Sequence, residues 1–412
     1  VHFHHGLLIV GNTEYKRKGN ATVIYLDHNA TTPLHPRVFE AMVPYLKKQW
    51  GNPSSPYRFG SDSKGVVERA RERLAEHLGC RALEIVFTSS GTESDNLAVR
   101  GVAHALRDRG NHIITTSIEH HAVLNTCRAL ETEGYRVTYL KVNEDGIIDM
   151  EELAESLSPD TILVTIMHAN NETGVIQPLD RISTIVKENG VLLHSDAVQT
   201  AGKIPLHLEE LNADLVSISG HKFYGPKGTA ALYIRNGTPL IPMLTGGLHE
   251  HGLRAGTENI AGIIGLTEAM VLAIKALDSE SKRMQKLRDL LEQGIRSKVP
   301  KIRLNGASAA RVPNTSNISF DSVDGESIVL GFDLKGICVY TGSACSTSDP
   351  EPSHVLRAMG LSKEKAKGSI RFSLGMDNQE EDINFTIQAV IETVGRLRDI
   401  SSIETKLESP CK

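Results

Sequence analysis

Between residues 85 and 234 short apolar runs recur along the chain, and helix-spaced stretches separate several of them. The runs are Ile85-Val86-Phe87-Thr88, Ile113-Ile114, Val137 to Leu140, Ile162 to Ile166, Val191 to Leu193, Leu215 to Ile218 and Ala230 to Ile234. Their length suits strands. Val38 to Leu46, Val66-Ala70-Leu74-Leu78, a stretch through Leu97 and Val102, and Pro178 to Lys187 carry helical spacing instead. Strands alternating with helices require crossover connections. The rhythm therefore predicts an α/β fold with a mostly parallel sheet covered by helices, placed here at residues 38–275.

The pattern then changes. A helix-like stretch from Ile260 to Ala276 continues through a charged segment, Ser279 to Ser297, and isolated strands and helices follow. This predicts a smaller α+β domain from residues 23–37 and 276–412. A Gly/Ser-rich segment at about 341–351 is expected to be a mobile loop. Residues 1–22 are read as an N-terminal extension: appended residues, a processed end or a short local strand. A formal charge of -5 over 412 residues indicates no nucleic-acid surface. No apolar run approaches the length needed to span a membrane. Five scattered cysteines, Cys80, Cys127, Cys338, Cys345 and Cys411, argue for a reducing compartment. We expect the cytoplasm, with an organelle matrix as the alternative. No cysteine or histidine set has metal-site spacing, so no metal is expected.

Polar residues collect at the ends of the strand candidates. Ser89-Ser90-Gly91-Thr92-Glu93 joins a strand to a helix, where free N–H groups favour a phosphate; an ordinary capping turn explains the same residues. Asp196 ends one run, and Lys222 follows another in Ser219-Gly220-His221-Lys222. A lysine can bond covalently to an aldehyde cofactor, and a strand-end aspartate can keep a pyridine nitrogen protonated. Gln199 reaches the same ring if Asp196 to Gln199 form a turn. His120 can stack on a ring and move protons. Asn171 can serve the ring or a substrate carboxylate, and Arg371 offers a two-point grip on a carboxylate. Cys345, among Thr341-Gly342-Ser343-Ala344 and Ser346-Thr347-Ser348, is expected to be accessible, whereas Cys338 in Gly336-Ile337-Cys338-Val339 reads as buried and inert. Together these residues suggest a pyridoxal 5'-phosphate enzyme that takes sulfur from an amino acid.

The ordered set of motifs strongly resembles the cysteine desulfurases that supply iron–sulfur cluster assembly and nitrogenase maturation. It includes Leu26-Asp27-His28-Asn29-Ala30-Thr31-Thr32-Pro33, Ser90-Gly91-Thr92-Glu93-Ser94, Glu119-His120, Asn170-Asn171-Glu172-Thr173-Gly174, Ser195-Asp196-Ala197-Val198-Gln199 and Ser219-Gly220-His221-Lys222. It continues through Arg254-Ala255-Gly256-Thr257-Glu258-Asn259, Gly342-Ser343-Ala344-Cys345, Ser353-His354-Val355-Leu356-Arg357 and Arg371-Phe372-Ser373.

The resemblance implies a fold-type I pyridoxal-phosphate enzyme and a homodimer with L-cysteine as substrate. It further implies sulfur delivery to an iron–sulfur scaffold or another acceptor protein. By resemblance, Lys222 carries the cofactor, Asp196 faces its ring nitrogen and His120 stacks on it. Asn171 and Gln199 surround the ring. Gly91, Thr92, Ser219 and His221 hold the phosphate, with Thr257 contributed by the partner subunit. Arg371, with Asn171, anchors the substrate carboxylate, and Cys345 is the persulfide-forming nucleophile of a long-loop member. The chain departs from the family's usual pattern at His251 and Leu253. Transamination or selenocysteine lysis on the same fold are the competing activities, and transamination would not need Cys345.

Overall fold

The computed structural model describes residues 23–341 and 352–408, with backbone alone for residues 401–408. Twelve strands are found among these residues: β1 (Ile24–Tyr25), β2 (Ile85–Thr88), β3 (His112–Thr116), β4 (Arg136–Leu140), β5 (Thr161–Thr165), β6 (Leu192–Asp196), β7 (Leu215–Ser219), β8 (Ala230–Ile234), β9 (Ile302–Leu304), β10 (Thr315–Phe320), β11 (Ile337–Cys338) and β12 (Ser369–Ser373). The main sheet has seven strands in the order β2-β8-β7-β6-β5-β3-β4. Only β8 opposes the others, pairing antiparallel with both β7 and β2. The α/β class and mostly parallel sheet expected from the sequence are present.

Both faces of this sheet are covered, which explains why its strands read as continuous apolar runs. Neighbouring residues enter different cores. Ile85, Phe87, Ile114, Val164, Leu193 and Val216 join one cluster, while Val86, Ile113, Leu163 and Leu215 join the other. Because the sheet is anchored on both sides, the strand ends on one edge are fixed points from which side chains project.

A second body is built from antiparallel β12-β10-β9 and the parallel pair β1-β11. Its own core contains Leu26, Phe320, Phe332, Ile370, Phe372 and Ile387. The helix Ile260–Lys298 runs unbroken for 39 residues. Ile260, Ile263, Leu266 and Met270 pack into the main-sheet core; Leu287, Leu291 and Ile295 pack into the other. One helix thus ties the two bodies together, and residue 275, where the sequence pattern changes, lies in its middle. By length and composition the helix could cross a bilayer, yet 56 % of its apolar window is buried inside the protein.

Candidate active site

The C-terminal ends of β2, β5, β6 and β7 open onto one edge of the sheet, where ligands collect in open α/β folds. A cleft of about 460 Å³ lies there. Residues from the other body close it: Asp27, Asn29, Tyr340 and Arg371.

The floor of the cleft comes from strand ends. Asp196 is the last residue of β6, and its Oδ1 accepts from the Val198 N–H at 2.9 Å, which forms the turn that brings Gln199 round. Ser219 ends β7, and one 3-10 turn, Gly220–Lys222, carries Lys222 over the edge. Lys222 Nζ donates to the main-chain carbonyls of Asn29 at 2.6 Å and Ala30 at 2.8 Å. Burial, then the Arg371 charge, lowers its pKa from 10.5 to about 8. An amine that is partly neutral near physiological pH can attack a carbonyl.

The helix Gly91–Ala105 starts at the cleft. Ser90 caps it by accepting from the Glu93 N–H at 3.1 Å, so the capping role and the cleft position coexist. A Cβ on Gly91 would lie 2.9 Å from Val198 Cγ2, so a glycine permits this close approach. Glu93 receives Arg254 Nε at 2.7 Å, which assigns Arg254 to this ion pair rather than to the cleft.

His120 caps the helix His121–Thr132, its Nδ1 accepting from the Ala122 N–H at 3.2 Å, and its ring faces the cleft. Surrounding protein, then the Lys222 charge, lowers its pKa to about 4, so it is a neutral imidazole. Asp95, His120 and Asp196 each present an atom within 4.8 Å of the others. Burial raises the pKa of both aspartates, and each of these carboxyls sits close to the other.

Arg371, on β12, is 3 % exposed. It donates from Nη1 to the Asn171 carbonyl at 3.0 Å and from Nη2 to Asp27 Oδ1 at 2.6 Å, and its guanidinium lies 4.8 Å from the Tyr340 ring centroid. Among the described residues, Arg371 Nε and Ser219 Oγ are buried without a hydrogen-bond partner. Buried polar atoms of this kind call for a ligand. The donor set fits pyridoxal 5'-phosphate: N–H groups at a helix start beside Ser219 and His221 for the phosphate, Asp196 for the ring nitrogen, His120 for a ring face, and Lys222 for the aldehyde.

The structure thus gathers Gly91, Thr92, His120, Asn171, Asp196, Gln199, Ser219, His221, Lys222 and Arg371 around one cleft. Thr257 is elsewhere on its own chain, in a hollow lined by Ser54, Arg71, His249 and His251. Cys345 lies outside the described residues. Sequence reasoning gave no role to Asp27, Asn29, Asp95 or Tyr340, all of which line the cleft. The run Asp27-His28-Asn29 after a short apolar pair was the one available signal, because three polar residues there have no helix to cap.

The chain belongs to the class-V aminotransferase family, whose model matches residues 24–385, and pyridoxal 5'-phosphate is the family's cofactor. It is 50 % identical over 378 residues to a protein of Dictyoglomus turgidum named cysteine desulfurase IscS, covering 92 % of this chain and 96 % of the relative. Among solved structures it resembles a NifS-like protein with a TM-score of 0.86 and 40 % identity, over 91 % of this chain and 100 % of the other. A structure described as SspA in complex with cysteine is similar at a TM-score of 0.76 and 35 % identity, over 85 % and 98 % of the two chains.

Proposed function

We propose that this protein is a pyridoxal-phosphate-dependent cysteine desulfurase, converting L-cysteine to L-alanine and passing the sulfur through Cys345 to an acceptor protein. The observation that carries the reading is the cleft itself. A lysine of depressed pKa, a buried aspartate and a buried arginine with an unpartnered Nε converge there, in a chain half identical to a named cysteine desulfurase. The SspA structure described with cysteine supports the substrate class.

When bound, the cofactor acts as an electron sink that weakens the substrate's Cβ–S bond. The protein's residues do the rest. Arg371 and Asn171 hold the substrate carboxylate, with Asp27 and the Tyr340 ring fixing the guanidinium. Lys222 moves the α-proton, and Asp196 keeps the ring nitrogen protonated. His120, as a neutral imidazole, takes the substrate thiol proton or, once it has become the imidazolium, protonates the departing carbon product. The Cys345 thiolate attacks the substrate sulfur. The Cβ–S bond breaks with its electron pair going to carbon, which takes one proton to become the methyl group of alanine, and a Cys345 persulfide remains.

Four residues, Thr341 to Ala344, separate Cys345 from Tyr340, which lines the cleft. On the other side, Ser353 Oγ donates to Glu172 Oε2 at 2.5 Å and His354 Nε2 meets the Glu119 carbonyl at 3.0 Å. Both anchors adjoin site residues, Asn171 and His120. An extended chain spans at most ~3.6 Å per residue, so Cys345 is tethered within roughly 18 Å of Tyr340.

The homodimer and the cytoplasmic location belong to this proposal. Thr257 is remote from its own cleft, as a residue serving a partner's phosphate site would be. Trp50 is 71 % exposed and packs edge-on against Phe59, and Leu248 is 90 % exposed; such apolar surface favours a subunit contact. An iron–sulfur scaffold is the acceptor we favour. Incubation with L-cysteine and a scaffold protein, followed by alanine and persulfide analysis, tests the whole reading. Alanine formation without protein-bound sulfur would refute it.

A further inference from the structure

Lys203 is a buried lysine that the mechanism does not use. It is 9 % exposed, and the charged and titratable groups that act on it or feel it are Lys222, Arg371, His28 and His221, all basic. Glu280 lines the neighbouring apolar hollow but makes no ion pair with it among the described residues. Burial beside two cations drives the amine towards its neutral form.

Its Nζ donates to Gln199 Oε1 at 2.8 Å and to Asn29 Oδ1 at 3.1 Å. An amide has its oxygen and its NH2 on opposite sides, so whatever holds the oxygen decides where the NH2 points. With Oε1 held by Lys203, Gln199 turns Nε2 towards the Asn29 carbonyl at 3.0 Å and the cleft. With Oδ1 held by Lys203 and by Asn314 Nδ2 at 3.2 Å, Asn29 directs its own Nδ2 to the Asn171 carbonyl at 3.2 Å and Thr315 Oγ1 at 2.8 Å. The Asn29 carbonyl also receives Lys222 Nζ.

We propose that Lys203 is a positioning residue whose amine fixes the orientation of the Gln199 and Asn29 amides, so that Gln199 offers an N–H, not an oxygen, to the cofactor's ring oxygen. The inference rests on the cleft being the cofactor site. A donor at that oxygen stabilises its anionic form. Losing the donor makes the bound chromophore easier to protonate, so its pKa rises.

The test is a pH titration of the visible band of the pyridoxal-phosphate-loaded enzyme. Lys203→Met keeps an unbranched chain, one atom shorter, and removes the donors; the pKa should rise by roughly 0.5–1 unit, the worth of about one hydrogen bond. Lys203→Gln keeps N–H groups one atom shorter and should shift it less, and this variant carries the test if the methionine form does not fold. Gln199→Leu should shift it the same way, with no further change on adding Lys203→Met. A purely structural role would lower thermal stability and leave the band's pKa unmoved. An unmoved pKa in both Lys203 variants, or additive shifts in the double variant, overturns the inference. Failure of wild-type protein to give a Lys222-linked visible band refutes the underlying site reading instead.

Discussion

The most quantitative consequence of the site concerns Lys222. Its amine is nucleophilic only when neutral, and its pKa is lowered from 10.5 to about 8 by burial first and by the Arg371 charge second. At pH 7.4 a lysine of pKa 8 is about one-fifth neutral, whereas an ordinary lysine is about one-thousandth neutral. Covalent loading of pyridoxal phosphate onto cofactor-free protein should therefore be roughly two-hundredfold faster than onto a solvated lysine. The rate should rise with pH and level off above about 8, the sign expected when deprotonation creates the nucleophile. Two variants have opposite signs. Arg371→Gln removes a cation that disfavours the ammonium, so the midpoint should rise; Asp196→Asn removes an anion that favours it, so the midpoint should fall. Stopped-flow absorbance across pH 6–10 reads all three. A midpoint near 10.5 in wild type, or the same direction of shift in both variants, would refute the electrostatic reasoning.

Other expectations follow from single contacts. Arg371→Lys keeps the charge but loses the planar grip, worth roughly 1.5–3 kcal/mol per charge-assisted hydrogen bond; KM for L-cysteine should rise about 10–150-fold with a smaller effect on kcat, read by alanine release. Arg71 and Glu250 form a pair with both side chains 3 % exposed, Nη1 to Oε2 at 2.6 Å, so Arg71→Met should cost about 3–5 kcal/mol by leaving Glu250 buried and unpaired, measured by denaturant unfolding. If Thr257 serves the partner's site, a hybrid dimer of Lys222→Ala and Thr257→Ala subunits should keep one cleft with both wild-type residues and regain cofactor affinity that the Thr257→Ala homodimer lacks; equal affinity in both contradicts the shared site.

The sequence made the strands of the main sheet readable because they are buried on both faces, so every position in β2, β5 and β7 is covered. For the same reason Asp196 and Lys222 were conspicuous, as polar residues directly after apolar runs. The reversal of β8 was not readable, since strand direction depends on the connection and leaves the composition of Ala230 to Ile234 unchanged. The helix Ile260–Lys298 was legible as a stretch continuing through a charged segment, but its service to two cores was not, since its apolar ends give no sign of which core each enters. Lys203 gave no signal, because a lysine after Ala201-Gly202 reads as a solvated turn until the fold places Gln199 and Asn29 against it.

The central claim is that sulfur passes through Cys345. The direct measurement is peptide-level mass spectrometry of loaded enzyme after L-cysteine addition, in wild type and Cys345→Ala. The account predicts one added sulfur on the Cys345 peptide of wild type. In Cys345→Ala it predicts bound cofactor and substrate but no persulfide, with Cys80, Cys127 and Cys338 unmodified in both. Persulfide transfer and normal alanine production by Cys345→Ala would contradict it.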